Sequence, residues 1–406
     1  MREAARRFLC CVILLASPTM VRAEGTTSVE KLLEDLRGSD YVQALVAAEK
    51  LGRSPQHRAE IVPALMETLN HEWERCSGDI RQAIARSLGR LQAREAVVPL
   101  LQLARSGRGI EHDCAECGGC FLVLTPAGEL FDRRYEPFLE SEVLSVINEL
   151  ADFSHLKTMA DIVSEGKWKA QLIATIGKVG HPRYAYFIGG YKDDEDESVR
   201  RAVAHALGLI KNDDFTLPVL IQLLSRTGED FHVRWEASNS LVAIGKRSDA
   251  QGVAKRLMNL LRDREKLTVL LTARTLAMLG AEEGLVKVRE MARDEDPKMR
   301  VEAAMYLGEV TDRRSTDTLI KSLKDENLAV RACAVYALGQ IGDASMIASL
   351  ERAFEESRDY MAELEKQLKE GSSDETLRQK YGSGVFDLRQ TVREAIEAIQ
   401  ERAGKS

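Results

Sequence analysis

Small and apolar residues recur along this chain with the period of a helix that buries one face. In Val199-Arg200-Arg201-Ala202-Val203-Ala204-His205-Ala206-Leu207-Gly208-Leu209-Ile210 they fall at the first, fifth, eighth and ninth places. The string returns as Met299-Arg300-Val301-Glu302-Ala303-Ala304-Met305-Tyr306-Leu307-Gly308-Glu309-Val310, and again as Val330-Arg331-Ala332-Cys333-Ala334-Val335-Tyr336-Ala337-Leu338-Gly339-Gln340-Ile341. The three align without a gap. A fourth copy runs from Ile80-Arg81 to Leu91, and weaker ones start near Gln43, Trp168, Val233 and Thr268. The starts at 199, 233, 268, 299 and 330 lie 34, 35, 31 and 31 residues apart.

A shorter amphipathic segment precedes each string, such as Leu217 to Leu224 or Thr318 to Leu323. Two helices in 31 to 35 residues cannot bury their apolar faces alone, so successive pairs must stack into an α solenoid. Alanine predominates on the buried face because neighbouring helices must approach closely. The glycines at Gly208, Gly308 and Gly339 are expected to end their helices in a positive-φ conformation, with the apolar residue beyond tucked back underneath. An acid or amide stands four residues before an arginine at Asp196 and Arg200, Asp230 and Arg234, Asp296 and Arg300, and Asn327 and Arg331, and Arg81 holds the same place in the earlier copy. The spacing predicts that Asp or Asn caps the second helix while the arginine on its first turn bonds to loops of the adjacent unit. That makes the set a structural ladder.

These strings, above all Asp296-Pro297-Lys298-Met299-Arg300 and Asn327-Leu328-Ala329-Val330-Arg331, resemble the HEAT family, and within it the short HEAT-like repeats first named from phycobilisome bilin lyases. The resemblance covers roughly residues 28 to 353. It implies an armadillo-like, all-α superhelix whose curved surface binds other proteins. The expected organisation is a signal peptide at 1–23, HEAT-like repeats at 24–105, a cysteine-rich insertion with a β-hairpin at 106–137, further repeats at 138–353, and a charged helix with a C-terminal capping helix at 354–406.

The helical period disappears between Ser106 and Pro137. There, Phe121 to Leu124 and Glu129 to Phe131, separated by Thr125-Pro126-Ala127-Gly128, read as a small hairpin. Just before it stand Cys114, Cys117 and Cys120, with His112 upstream. The C-x2-C-x2-C spacing lets a tight loop present several thiolates to one ion. Cys76 falls in the corresponding loop of the preceding repeat, and corresponding loops of stacked repeats share one ridge. The four cysteines therefore fit a zinc site, with His71 or His112 as alternate ligands, or two disulfides, or an iron–sulfur or redox-active group. If they are bridges, Cys76 pairs with one member of the cluster and the other two pair together. Each case staples the insertion to the solenoid. Cys333, by contrast, sits on a buried helical face and reads as an unpaired core residue. The acidic run Asp193-Asp194-Glu195-Asp196-Glu197 lacks the alternation and glycine turn of a calcium loop and reads as an inter-helix loop.

Along the second helices, Arg201, His205, Trp235, Asn239 and Tyr336 form columns, joined by Arg86 and Met305, that would line a concave groove or pack between repeats. Beyond the array, Tyr360, Leu364 and Leu368 lie four apart in a charged helical segment. Val385, Leu388, Val392, Ile396 and Ile399 then form the apolar stripe of a closing helix.

At the other end, Arg2, Arg6 and Arg7 precede an apolar run from Phe8 to Val21. About fourteen apolar residues fall short of the roughly twenty that cross a bilayer. Val21-Arg22-Ala23 suits a signal peptidase, so cleavage is expected after Ala23 and the mature protein outside the cytoplasm, periplasmic or secreted, with no membrane span. Cys10 and Cys11 would leave with that segment.

Aromatic residues make up only 5% of the 406, and the net charge of −7 argues against a nucleic-acid scaffold, which needs a basic surface to release counterions. No G-x-S-x-G, H-E-x-x-H or phosphate-loop string is present. The expected function is thus a non-enzymatic, exported scaffold that binds another protein. The competing readings are a metal-binding or redox-responsive protein centred on the cysteine cluster, with zinc as the one cofactor in view, and a bilin-lyase-like accessory protein. Partner identity and oligomeric state are not encoded in any of these patterns.

Overall fold

The computed structural model describes residues 28–69, 77–106, 122–124, 130–132, 138–352, 355 and 388–404. The expected signal peptide, most of the insertion and the charged segment after the array lie outside the described residues. The chain divides between Tyr184 and Ala185 into two compact units, a division that the repeat spacing does not mark.

In the first unit, helices α1 (Val29–Arg37), α3 (Arg58–Leu69), α5 (Val97–Ser106) and α7 (Leu156–Ser164) alternate with α2 (Tyr41–Leu51), α4 (Ser77–Arg90), α6 (Phe138–Leu150) and α8 (Lys169–Val179). The second members stack on one another, α2 on α4, α4 on α6 and α6 on α8. Two three-residue strands, Leu122–Leu124 and Leu130–Asp132, pair antiparallel between α5 and α6, with Leu122 opposite Asp132.

The second unit repeats the alternation. Helices α9 (Ala185–Gly189), α11 (Asp213–Ser225), α13 (Ala250–Leu257), α15 (Glu282–Met291) and α17 (Thr316–Ser322) form one row. The other row is α10 (Glu197–Leu209), α12 (Phe231–Arg247), α14 (Lys266–Met278), α16 (Pro297–Glu309) and α18 (Leu328–Ile341). Helix α19 (Leu388–Gly404) closes the second row, burying Val392, Ala395 and Ile399 against α18 while Arg402 donates to the carbonyls of Gly339 (2.6 Å) and Gly342 (3.1 Å). Those two carbonyls belong to the C-terminal end of α18, where helical acceptors run out of intrahelical donors.

The glycines of the repeat work differently from the sequence expectation. Gly208 and Gly308 lie inside α10 and α16 rather than past their ends, and neither has a positive φ. A Cβ at Gly308 would stand 2.7 Å from the Cα of Ala337 on α18, and one at Gly208 would stand 2.6 Å from the Cβ of Ser240 on α12. What requires glycine there is contact between backbones of successive helices. The left-handed helix stop occurs at Gly180 instead, with φ +74°.

Helix α14 is unusual for a repeat helix, because every residue from Thr268 to Ala277 is buried. A helix of a stacked array normally keeps one face in water. Helix α14 is covered by α15 and the turn at Met258–Arg262 as well as by α12 and α16 along its row.

Candidate functional site

Two arrangements in the second unit draw on the predicted residues. The first is the ladder along the inter-helix loops. Asp196 caps α10 by accepting from the Ser198 N–H (2.8 Å). Asp230 caps α12 through His232 N–H (2.7 Å), Asp296 caps α16 through Lys298 N–H (2.9 Å), and Asn327 caps α18 through Ala329 N–H (2.9 Å). Each ladder arginine bonds backward to a loop carbonyl, and the first three also reach forward to an acid in the next repeat. Arg200 donates to the carbonyls of Asp194 (2.8 Å) and Glu195 (3.0 Å) and, from Nε and a terminal nitrogen, to Glu229 (3.0 and 2.7 Å). Arg234, only 1% exposed, donates to the Leu224 carbonyl (2.9 Å) and to Glu265 (2.8 Å). Arg300 holds the Asp294 carbonyl (2.9 Å) and grips Asp325 with two nitrogens (2.8 and 2.9 Å). Arg331 donates to the carbonyl of that same Asp325. In the first unit Arg81 donates to the Leu69 carbonyl (3.3 Å).

The forward acceptors Glu229, Glu265 and Asp325 were not singled out by the sequence reading. They stand one residue before an Asp cap, three before a buried Thr and two before an Asn cap, so no fixed offset marks them. Burial works against charge on Glu229, but hydrogen bonds from Arg200 and the Asp230 N–H, with the nearby charge of Arg226, outweigh it and hold the carboxyl below its usual value. For Glu265 the hydrogen bond from Arg234 leads and gives the same direction. The acidic run 193–197 takes part too: Asp193 pairs with Arg226 (2.5 Å), and two of its carbonyls hold Arg200.

The second arrangement lies along the row α10, α12, α14, α16 and α18. His205 and Arg201 are exposed on α10, and His205 Nδ1 meets Glu236 Oε1 of α12 at 2.8 Å. The hydrogen bond that the ring donates to Glu236 raises the imidazole pKa above its ordinary value. Asn239 is half-buried on α12, while Met305 on α16 (37% exposed) and Tyr336 on α18 (52% exposed) face solvent. Arg86 of the first unit pairs with Glu49 across α2 and α4 (2.5 Å).

Trp235, expected among these columns, is engaged. The guanidinium of Arg274 on α14 lies 3.9 Å from the centroid of its ring and 5.6 Å from that of Tyr306 on α16, and the two rings stand 5.5 Å apart. Arg274 also donates to Glu309 (2.8 Å) and to Ser238 (3.0 Å), whose hydroxyl is 2.8 Å from that of Thr275. Arg274 and Tyr306 escaped the sequence reading. The signal available was a lone arginine in the apolar run Val269-Leu270-Leu271-Thr272-Ala273-Arg274-Thr275-Leu276.

Cys76, Cys114, Cys117 and Cys120, with His71 and His112, lie outside the described residues. Cys333 is buried and free, and burial pushes its thiol up to about 12. The helix that leads into the insertion is held at its end: Trp168 Nε1 donates to the Ala104 carbonyl (3.0 Å), Lys167 to the Arg105 carbonyl, and the Arg105 side chain to Glu165 (3.0 Å). Among the described residues no group of His, Cys, Asp and Glu is placed to hold a metal ion, and no helix is long and apolar enough to cross a membrane.

A family model for HEAT repeats matches residues 187–277 and 285–369. No curated protein matches the chain. Among solved structures, the complex of CpcE and CpcF of phycocyanin lyase from Nostoc sp. PCC7120 is 15% identical, with 93% of this chain and 97% of that chain covered and a TM-score of 0.29. Human deoxyhypusine hydroxylase in complex with glycerol is 15% identical over 77% of this chain and 99% of that one, with a TM-score of 0.27. Kap95p, in a structure with RanGDP, is 10% identical over 93% of this chain and 57% of that one, with a TM-score of 0.45. Residues 187–277 and 285–369, which carry stacked helix pairs of the second unit, thus match HEAT repeats.

Proposed function

We propose that the protein is a non-enzymatic scaffold that binds another protein outside the cytoplasm. The observation that carries the reading is the row of stacked helices in the second unit, which presents Arg201 and His205 on α10, Met305 on α16 and Tyr336 on α18 to solvent. Repeat arrays of this kind bind through extended surfaces, and amphipathic side chains such as Tyr336 and Met305 are favoured where a partner segment docks. Export rests on the basic, apolar and small-residue order of residues 1–23. The cysteine-rich segment 106–137 is a second contact region, a hairpin stapled to the loop ridge by Cys76, Cys114, Cys117 and Cys120.

A photo-crosslinking residue at position 305 or 336 tests the reading when compared with one at Gln222, an exposed position on the other row. A partner that crosslinks at 305 and 336 and not at 222 supports it. Equal labelling at all three positions, or none, overturns the groove. Cleavage after Ala23, read by N-terminal sequencing of the fractionated protein, tests export.

A second reading, favoured by the C-x2-C-x2-C spacing, makes the cluster a zinc or redox site that orders the insertion when ligated. Metal analysis with thiol counting on the natively expressed protein distinguishes it: no metal, with all four thiols in disulfides, removes it. The bilin-lyase-like reading is ended by the absence of a spectral change with added tetrapyrrole.

A further inference from the structure

Repeats in a solenoid touch only their neighbours, so the angle between distant repeats is the sum of many soft nearest-neighbour steps. The second unit contains an exception. Trp235 on α12 and Tyr306 on α16 belong to repeats separated by the whole of α14, yet their rings meet at 5.5 Å. Beside both, over the Trp235 ring, lies the guanidinium of Arg274 from α14, 3.9 Å from the Trp235 centroid and 5.6 Å from that of Tyr306. We propose that Trp235, Arg274 and Tyr306 form a clamp that locks three successive repeats at one angle.

The chemistry of each part suits that role. A planar guanidinium stacks on an aromatic face while its edge nitrogens stay free for hydrogen bonds, which an ammonium does not match. Arg274 uses both capacities: its face meets indole and phenol, and its edge donates to Glu309 of α16 and to Ser238 of α12. One side chain of the middle helix thereby bonds to both flanking helices. Tyr306 is fully buried, and its hydroxyl has no hydrogen-bond partner. A buried hydroxyl left unpaired is a cost, so the ring rather than the oxygen accounts for the aromatic residue here. Phe231, stacked on Trp235 with centroids 6.0 Å apart, backs the clamp from the start of α12. The clamp accounts for the burial of Arg274 itself, a charged side chain only 2% exposed on α14.

The test measures the spread of a distance across the clamp. Genetically encoded nitroxide residues at Arg201 and Tyr336, exposed on α10 and α18, report their separation by pulsed electron resonance in the full-length chain. The wild type and Tyr306→Phe are expected to give the same narrow distribution, since the hydroxyl makes no bond. Trp235→Leu and Arg274→Met are expected to widen it at least about twofold, with helix content by circular dichroism unchanged. Trp235→Leu with full helicity and an unchanged distribution overturns the clamp, and so does widening in Tyr306→Phe equal to that in Trp235→Leu. If Arg274→Met does not fold, Arg274→Lys, which keeps the charge and loses the planar stack, takes its place and is expected to widen the distribution as well.

Discussion

The guanidinium of Arg234, on the first turn of α12, donates to the Leu224 carbonyl behind it and to Glu265 at the head of the next repeat, 31 residues on. It is the largest of the fully buried side chains. Its charge is tolerable in that position because each of its three nitrogens meets an oxygen, Thr268 supplying the third acceptor.

Removing such a group strands its acceptors. Arg234→Met keeps the volume and deletes the donors, leaving the Leu224 carbonyl and Thr268 hydroxyl to find others. The expected loss is about 1–3 kcal/mol, the range for buried polar groups left unpaired, because Glu265 is 32% exposed and keeps water as a partner. Urea unfolding followed by circular dichroism measures it; a loss under about 1 kcal/mol would mean that the buried charge is dispensable.

Gly308→Ala sets two effects of opposite sign against each other. In a helix interior alanine is favoured over glycine by ~1 kcal/mol. The new Cβ would, however, stand 2.7 Å from Ala337 Cα, and overpacking a tight contact costs about 1–3 kcal/mol. The clash is with backbone of α18, which cannot swing aside, so the variant is expected to be less stable. A higher melting temperature in Gly308→Ala would show that the two helices have room to part.

His205 takes up a proton more readily in the folded chain because Glu236 accepts a hydrogen bond from it. A folded-state pKa above the unfolded one gives stabilisation that is complete below the unfolded value, about 6.5, and that disappears as pH rises through the folded value. The side chain is half exposed, so the contribution is expected below about 1 kcal/mol. Titration of the His205 ring by NMR in wild type and Glu236→Gln checks the direction: the variant's pKa should fall. A pKa that stays where it is would assign the shift to something other than Glu236.

The Cys333 thiol, pushed up to about 12 by burial, is expected to resist alkylation at pH 8 while the array is folded and to react once it is opened by denaturant. Mass spectrometry of the peptide containing Cys333 measures this site apart from the other cysteines. Rapid labelling without denaturant would show that α18 opens locally.

The ladder illustrates how far the residues alone carry the reading. Asp196, Asp230, Asp296 and Asn327 could be identified as caps because capping is local: the side-chain oxygen reaches a backbone N–H two or three residues on. That each arginine reaches a loop of the adjacent repeat was expected as well; its bonds back to the preceding carbonyls, five to ten residues away, were not. Nor was the identity of the forward partners. Glu229, Glu265 and Asp325 sit 29, 31 and 25 residues beyond their arginines, and which acid faces which arginine depends on how each loop turns.

The glycines show the same boundary from the other side. A Leu-Gly pair near a helix end fits a left-handed stop, and the repeat at Gly208, Gly308 and Gly339 reads that way. Only the packed neighbours reveal that these positions are crossing points of two helices.

By itself the sequence determined that this protein is a stack of helix pairs and which Asp and Asn residues cap the second helices. Those properties follow from periodicity and from hydrogen bonds within one turn, which any stretch of the chain carries in its own residues. The tertiary structure alone decided which arginine meets which acid, that Trp235 is stacked on Arg274 instead of lining an open groove, and that α14 is covered on all sides. Each of these depends on the rotation between successive pairs, which is set by side-chain packing over tens of residues and leaves no mark at any single position.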